Sequence, residues 1–291
     1  MSQPKILSCG EVLWDLFPEG ARFGGASANF ACHAAIQGGQ VTLLSAVGQD
    51  ARGDEALSII ESFGIDTSLV QRLSGLQTGS VGVTLDAAGK PSFEIHANAA
   101  WDRIAWTDAV AARIGEVDAV YFGTLSQRGE ISKSTILRGL EAAKARGMAR
   151  VLDVNLRKPF YDNALIADSI AHASILKLSD DELPEVAEAC GIDLQENPEN
   201  TLRELLEKFG LEIVVMTRGA EGALLVSATE TISQPGIPTI VKDTVGAGDS
   251  FTAAFTIGFL RKENLGHVLQ KACETASAVC SQSGAVPLPA K

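Results

Sequence analysis

The chain has 291 residues, 46% of them hydrophobic and 21% charged, with a net charge of −12. Those proportions describe a packed globular protein whose core needs no staples, and the length favours one large domain, or one with a small appendage. The acidic balance speaks for solubility and against a nucleic-acid surface, which needs clustered Lys and Arg, so an anionic substrate would require a local basic pocket.

Met1 leads directly into SQPKILSCGEVLW, with no basic region followed by a long apolar stretch, so no signal peptide is expected. The first strand is read at KILSCG (5–10), and EVLWDLFPEG (11–20) follows with no helix between. ANFACHAAIQ (28–37) reads as a helix, VTLLSAVG (41–48) as a strand, and ARGDEALSIIESFG (51–64) as a helix that stops at Gly. GSVGVTLDAAGKPSFEIHAN (79–98) reads as two strands around the turn DAAGKP. With 11–20 it could form a small antiparallel sheet, either a flap over a site or an ordinary edge hairpin.

Beyond it come a strand at VDAVYFG (117–123), a helix at SKSTILRGLEAAKARG (132–147), and strands at RVLDVN (150–155) and SILKLS (174–179). DLQENPENT (193–201) is a polar surface loop before the helix TLRELLEKFG (201–210). Strands at EIVVMTRG (212–219) and GALLVSA (222–228) precede a last helix at SFTAAFTIGFL (250–260). Alternating strands and helices imply a mainly parallel sheet covered on both faces, with ligands at the carboxyl ends of the strands. No apolar run reaches about 18 residues, so no membrane span is expected. Cys9, Cys32, Cys190, Cys273 and Cys280 form no CxxC, which favours buried reduced thiols in a cytoplasmic protein over a metal site or disulfide framework.

DTVGAGDS (243–250) turns tightly ahead of that last helix. It offers the N–H groups of Gly246, Ala247 and Gly248 to an anion, above all phosphate. Asp249 is then either the helix N-cap or a general base toward an alcohol that attacks phosphorus. Other segments bear on the choice. In FGGASANFACHAAIQGG (23–39), Gly24 and Gly25 permit close backbone approach and Asn29 suits sugar hydroxyls. Asp15, in the apolar frame VLWDLF, could accept two hydroxyls of a diol or simply face solvent.

At strand ends stand Asp153, Asn155 and Arg157 in DVNLRKPF, then Lys177 and Glu182 in KLSDDE, then Thr217 and Gly219 in TRGAEGA. Arg157 and Lys177 could reach phosphate oxygens, and Glu182 could order a hydrated Mg2+. Taken alone, each is a weak signal, because strand-end polar residues are usually caps or surface charges. There is no GxxxxGK[ST], no GxGxxG after a strand and no GxSxG, so P-loop, Rossmann and Ser-hydrolase chemistries lack their fingerprints. His33, His96, His172 and His267 show no metal spacing and read as structural.

The ordered set GGASANFA, DVNLR, KLSDDE, TRGAEGA and DTVGAGDSFTAAF resembles the PfkB (ribokinase-like) family of carbohydrate kinases over nearly the whole length. The resemblance implies one α/β domain over 1–291. Its fold would be a three-layer α/β/α sandwich with a mainly parallel central sheet and a small antiparallel β lid from about 11–24 and 79–101. It implies transfer of the γ-phosphoryl group of ATP, with Mg2+, to a sugar alcohol, with Asp249 as the base and the amides of Gly246, Ala247 and Gly248 as the anion hole. Asp15, Gly24, Gly25, Asn29 and Arg157 would hold the sugar. Lys177, Ser179, Glu182, Thr217, Gly219, Gly222 and Ser281 would face nucleotide, phosphates or metal, with Glu182 acting through water. Phe93 and Ile95 would add apolar contact from the lid. The lid also implies a homodimer contact. Parts of the family bind K+ near the Asp243 loop, which brings in Asp243 and Val245, although Leu288 leaves that ligand set open.

Two departures stand out. Ser27 replaces the Pro of GGAPAN, so a looser turn is expected, and Ser179 replaces the Asn of KxNxxE, which alters one phosphate or metal-water contact. The opening GEVLWDLFPEG is most similar to fructokinases, so fructose phosphorylated at its primary alcohol is the expectation. The rivals are a kinase for another ketose or aldose, 2-keto-3-deoxygluconate or a nucleoside, and a sugar-binding regulator without catalysis.

Overall fold

The computed structural model describes residues 3–85 and 91–287, and the side chains of the same residues except 85 and 91–93. The turn residues 86–90, the side chain of Phe93 and Leu288 therefore lie outside the described residues. The first part of the chain forms β1 (Lys5–Cys9), β2 (Leu13–Phe17), β3 (Gly20–Gly24), α1 (Ala26–Ile36), β4 (Gln40–Gly48), α2 (Ala51–Ser62) and β5 (Val70–Leu73). Then come β6 (Gly79–Leu85), β7 (Pro91–Ile95), α3 (Asp108–Ile114), β8 (Ala119–Gly123), α4 (Glu130–Ala145), β9 (Ala149–Asp153) and α5 (Asn163–His172). The remainder forms β10 (Ile175–Ser179), α6 (Leu183–Ala189), α7 (Pro198–Phe209), β11 (Ile213–Thr217), β12 (Ala223–Ser227), β13 (Thr231–Gln234), α8 (Ala247–Leu260) and α9 (Leu265–Cys280).

A nine-stranded sheet runs β13-β12-β11-β10-β9-β8-β1-β4-β5. It is parallel from β11 to β5, and β12 and β13 join antiparallel at one end. Its central strands are near-continuous apolar runs because helices cover both faces. On one face Leu7, Val120, Leu152, Leu176 and Val214 pack with Ile136 and Leu140 of α4 and Leu202 and Leu205 of α7. On the other, Ile6, Leu43, Tyr121, Val151 and Val215 pack with Phe30 of α1, Ile60 of α2, Phe251 and Phe255 of α8 and Leu269 of α9. Cys9, Cys32, Cys190 and Cys273 are buried thiols within these layers. No helix is long and apolar enough to cross a membrane among the described residues.

The flap is a separate four-stranded sheet, β3-β2-β6-β7. The β6–β7 hairpin is antiparallel, as expected; β2 and β3 form a second antiparallel hairpin, and the two join through a parallel pairing of β2 with β6 rather than an antiparallel one. Residues 25–78, which supply α1 to β5 of the main body, separate the hairpins. That is ample for the crossover a parallel pair requires.

Candidate active site

A cavity of about 540 Å³ opens between the flap and the carboxyl ends of the central strands. Three kinds of element build it. The flap contributes Leu13, Asp15, Arg22, Val81 and Ile95. The ends of β9 and β10 contribute Asp153, Asn155, Arg157 and Lys177. The starts of α1 and α8 contribute Gly25, Asn29, Gly246, Gly248 and Asp249.

Gly246 is the N-cap of α8, in the left-handed conformation at φ 80 and with no side-chain cap. A Cβ there would fall 2.5 Å from the carbonyl oxygen of Ala285, so glycine is required by backbone and space alike. Asp249 lies in the first helical turn and does not cap. Its Oδ2 instead accepts the side-chain amide of Asn29, reaching across from α1 at 2.8 Å. The choice between cap and cavity carboxylate is thereby decided for the cavity. The three expected amides divide: Gly246 and Gly248 line the cavity, whereas the N–H of Ala247 turns back to the Thr244 carbonyl at 3.3 Å.

Burial pushes the Asp249 carboxyl up to about 7, and the charge of Asp153 adds to this, against the Asn29 bond, Lys177 and Arg157. Lys177 is buried and donates to Oδ1 of Asp153 at 3.1 Å, while the Thr252 hydroxyl donates to Oδ2 at 2.9 Å. Burial opposes the lysine charge, but Asp153, Glu182 and Asp249 outweigh it and hold the ammonium above its ordinary range. A Cβ on Gly248 would come within 3.1 Å of Nζ, so the ammonium sits directly against the start of α8.

Asp15 faces the cavity from β2. Burial raises it to about 6, opposed by Arg157 and Arg22 and reinforced by Asp243. Gly24 does not line the cavity but makes room beside it, since a Cβ there would stand 3.0 Å from Asp15 Oδ2. The Arg157 side chain is exposed, and its Nη1 donates to the carbonyl of the adjacent Leu156 at 3.0 Å.

Of the residues expected around a nucleotide, Lys177 lines this cavity, whereas Ser179, Glu182, Thr217, Gly219, Gly222 and Ser281 lie outside it. Glu182 accepts the Leu156 amide on Oε1 at 2.8 Å, and on Oε2 the amide and hydroxyl of Ser179 at 2.8 and 3.0 Å. It thus ties the loops after β9 and β10 together. Thr217 ends β11 and directs its hydroxyl to the Leu178 carbonyl, and Gly219 is exposed just beyond. Gly222 is buried, and a Cβ on it would meet the Gln234 carbonyl oxygen at 2.1 Å, so its glycine is explained by close backbone packing. The Ser281 hydroxyl donates to the Ala278 carbonyl at the end of α9. Asp243 accepts the amides of Val245 at 3.1 Å and Gly284 at 3.0 Å.

The expected looseness at Ser27 is corrected. Ser27 is buried, and its hydroxyl donates to the Cys9 carbonyl at 3.0 Å, pinning the first turn of α1 to the end of β1. His33 is structural, its Nε2 paired with the Ala285 carbonyl at 2.8 Å. Three residues escaped the sequence reading. Glu11 is buried at the cavity wall and accepts the Ala26 amide, Thr252 orients Asp153, and Arg22 faces the cavity beside Asp15. The signal for Glu11 was its place directly after the first strand; those for Thr252 and Arg22 are purely tertiary.

A cavity carboxylate, helix-start glycines and a buried ammonium on one cleft are the equipment of phosphoryl transfer to an alcohol. The sequence profile of the pfkB family carbohydrate kinases matches residues 19–291, and the chain belongs to that family. It is a sugar kinase of this type, a phosphotransferase with an alcohol group as acceptor. Aminoimidazole riboside kinase of Salmonella typhimurium is 28% identical over 298 residues, covering 99% of this chain and 90% of that protein. Fructokinase-2 of Oryza sativa subsp. japonica is 25% identical over 308 residues, covering 97% and 90%. Among solved structures, a fructokinase with bound ATP from Xylella fastidiosa has the same fold, with TM-score 0.87 at 22% identity, covering 97% of this chain and 95% of that one. An uncharacterized sugar kinase from Pyrococcus horikoshii in complex with ATP gives TM-score 0.81 at 26% identity, covering 98% and 95%.

Proposed function

We propose that the protein transfers the γ-phosphoryl group of ATP to the primary hydroxyl of a small sugar, with fructose as the acceptor. The observation that carries this reading is Asp249, turned into the cavity by Asn29 with Gly246, Gly248 and Lys177 around it. The acceptor hydroxyl donates to Asp249 as its oxygen attacks the γ-phosphorus. The bond to the bridging oxygen of ADP breaks, and the hydroxyl proton passes to the carboxylate. The first-turn amides of α8 and the Lys177 ammonium face the charge that builds on the transferring group. Asp15, Arg157 and Asn29 hold the sugar hydroxyls. Ile240 and Val241, 87% and 60% exposed just ahead of the 243–248 loop, offer an apolar face to the nucleotide base.

No group of three or more potential ligand side chains gathers among the described residues. That suits Mg2+, which keeps several waters and binds mainly through phosphate oxygens. Glu182 would hold it through water, its half-buried carboxylate already oriented by Leu156 and Ser179. When bound with ATP, the ion neutralises phosphate charge. Asp243 and Val245 would hold K+, which turnover in potassium against tetramethylammonium salts checks. Pairing of two copies through the flap is checked by light scattering.

A second acceptor, a riboside, is favoured by the apolar wall of Leu13, Val81, Ile95 and Leu125 and by the Salmonella relative. Turnover of ATP with Mg2+ and a panel of ketoses, aldoses, 2-keto-3-deoxygluconate, ribosides and nucleosides decides between them. Fructose is expected to show the highest kcat/KM. A riboside in first place would select the second reading. Fructose binding with no ATP consumed by any acceptor would make the protein a sugar-binding regulator.

A further inference from the structure

The strand register places Arg22, Asp15, Val81 and Ile95 in one row across the flap, and all four face the cavity. Arg22 occupies the end of that row, on the edge strand β3. One side of its guanidinium is held by the flap itself: Nη2 meets Glu19 at 2.9 Å, and the group lies 4.2 Å from the Phe17 ring centre. Its other arm, Nη1, stands 3.7 Å from Oδ2 of Asp243 on the main body. Asp243 accepts the amides of Val245 and Gly284, and Val245 directly precedes the N-cap of α8. A flap cation is therefore connected, through a single carboxylate, to the loop that starts the helix bearing Asp249.

The pair adds little to stability. Its side chains are 42% and 17% exposed, and exposed pairs contribute about 0–1 kcal/mol. Its geometry, however, joins the flap to the main body at the edge of a cavity that both residues line. Flaps of this kind act by excluding water and completing the reacting constellation.

We propose that Arg22 is a positioning residue that draws the flap down onto Asp243, closing the acceptor end of the cavity and holding the 243–248 loop in register. This rests on the kinase reading above. With the connection cut, water takes the place of the sugar hydroxyl in the same step, releasing ADP and inorganic phosphate instead of sugar phosphate.

The test uses Arg22→Ala and Arg22→Lys in the full chain. Amide exchange is measured without ligands, and inorganic phosphate, sugar phosphate and both KM values are measured with ATP and the best acceptor. Arg22→Ala is expected to speed exchange in 20–24 and also in 243–246. It should raise acceptor KM and the ratio of inorganic phosphate to sugar phosphate about two- to fivefold, the range an exposed pair supports. ATP KM should hold steady, and Arg22→Lys should lie between Ala and the parent. Faster exchange confined to 20–24, with an unchanged product ratio, would overturn the proposal. A parent protein that turns over no acceptor defeats the kinase reading alone, because the exchange data still decide whether the flap and loop are coupled.

Discussion

Asn29, in the first turn of α1, donates its side-chain amide to Oδ2 of Asp249, in the first turn of α8, at 2.8 Å. Two helix starts 220 residues apart in sequence thus share one contact. The bond engages one carboxylate oxygen, Oδ2, and in the proposed function Oδ1 meets the substrate hydroxyl. The bond also lowers the cost of a charge that burial and Asp153 both oppose. A group held near neutrality in this way is suited to accept a proton and to release it again.

Asp249→Asn should therefore lose about 10²- to 10⁴-fold in kcat, the usual contribution of general-base help, while both KM values change little. In the parent enzyme kcat/KM should rise with pH through about 7, where the carboxyl ionises. The variant should lack that limb. Stability moves the other way. Folding raises this carboxyl from 3.8 to about 7, so the folded state binds the extra proton between those values and stability falls as pH rises through them. The Asn variant should melt above the parent at about pH 8, with the gap closing by about pH 4. Near-parental turnover would deny Asp249 the role of base.

Asn29→Ala removes the hydrogen bond that holds the Asp249 carboxyl down. The acid limb of the pH–rate profile should shift to higher pH. Bonds to charged groups contribute about 1.5–3 kcal/mol, so kcat/KM at pH 7 should fall about tenfold or more and partly recover at higher pH. A uniform loss at every pH would mean that Asn29 only holds substrate.

The legible parts of this protein are those whose signals are local. KILSCG and RVLDVN read as buried parallel strands because both faces are covered, which makes their apolar runs continuous. The start of α8 was legible because helix-start glycines and an adjacent carboxylate fall within a few residues. Helix α9 was passed over even though Asn264 caps it by accepting the His267 amide, a signal present in the chain. Other features depend on partners far away in sequence. The β2–β6 pairing is set by register between hairpins that residues 25–78 separate. The Ser27 hydroxyl finds its acceptor at Cys9, and Arg22 finds Asp243. Gly222 shows the opposite failure. A strand-end glycine invites a ligand reading, but the crowding that requires it comes from residues 234–236.

Asp15→Ala should act on the acceptor alone. The side chain lies on the flap wall of the cavity, so acceptor KM should rise about 10- to 100-fold, as loss of bonds to a charged group implies. ATP KM should stay near its parental value. Burial raises this carboxyl to about 6, and the ionised form accepts hydroxyl protons, so acceptor affinity in the parent should weaken as pH falls through about 6. Equal losses for acceptor and ATP would assign Asp15 a structural role instead.

Lys177 and Asp153 form a buried pair, with side chains 9% and 1% exposed. Removing one partner strands the other charge. Lys177→Met should destabilise the fold by about 3–5 kcal/mol in urea unfolding, because Asp153 then has only the Thr252 hydroxyl to offset its burial. Adding Asp153→Asn removes that charge while leaving an oxygen for Thr252, so the double variant should recover much of the lost stability. It should not recover turnover, since the ammonium beside Gly248 is still missing. Stability and activity would then separate in one pair of proteins. If the double variant were no more stable than Lys177→Met, the pair would not be coupled by charge, and the place of Lys177 in the site would have to rest on packing.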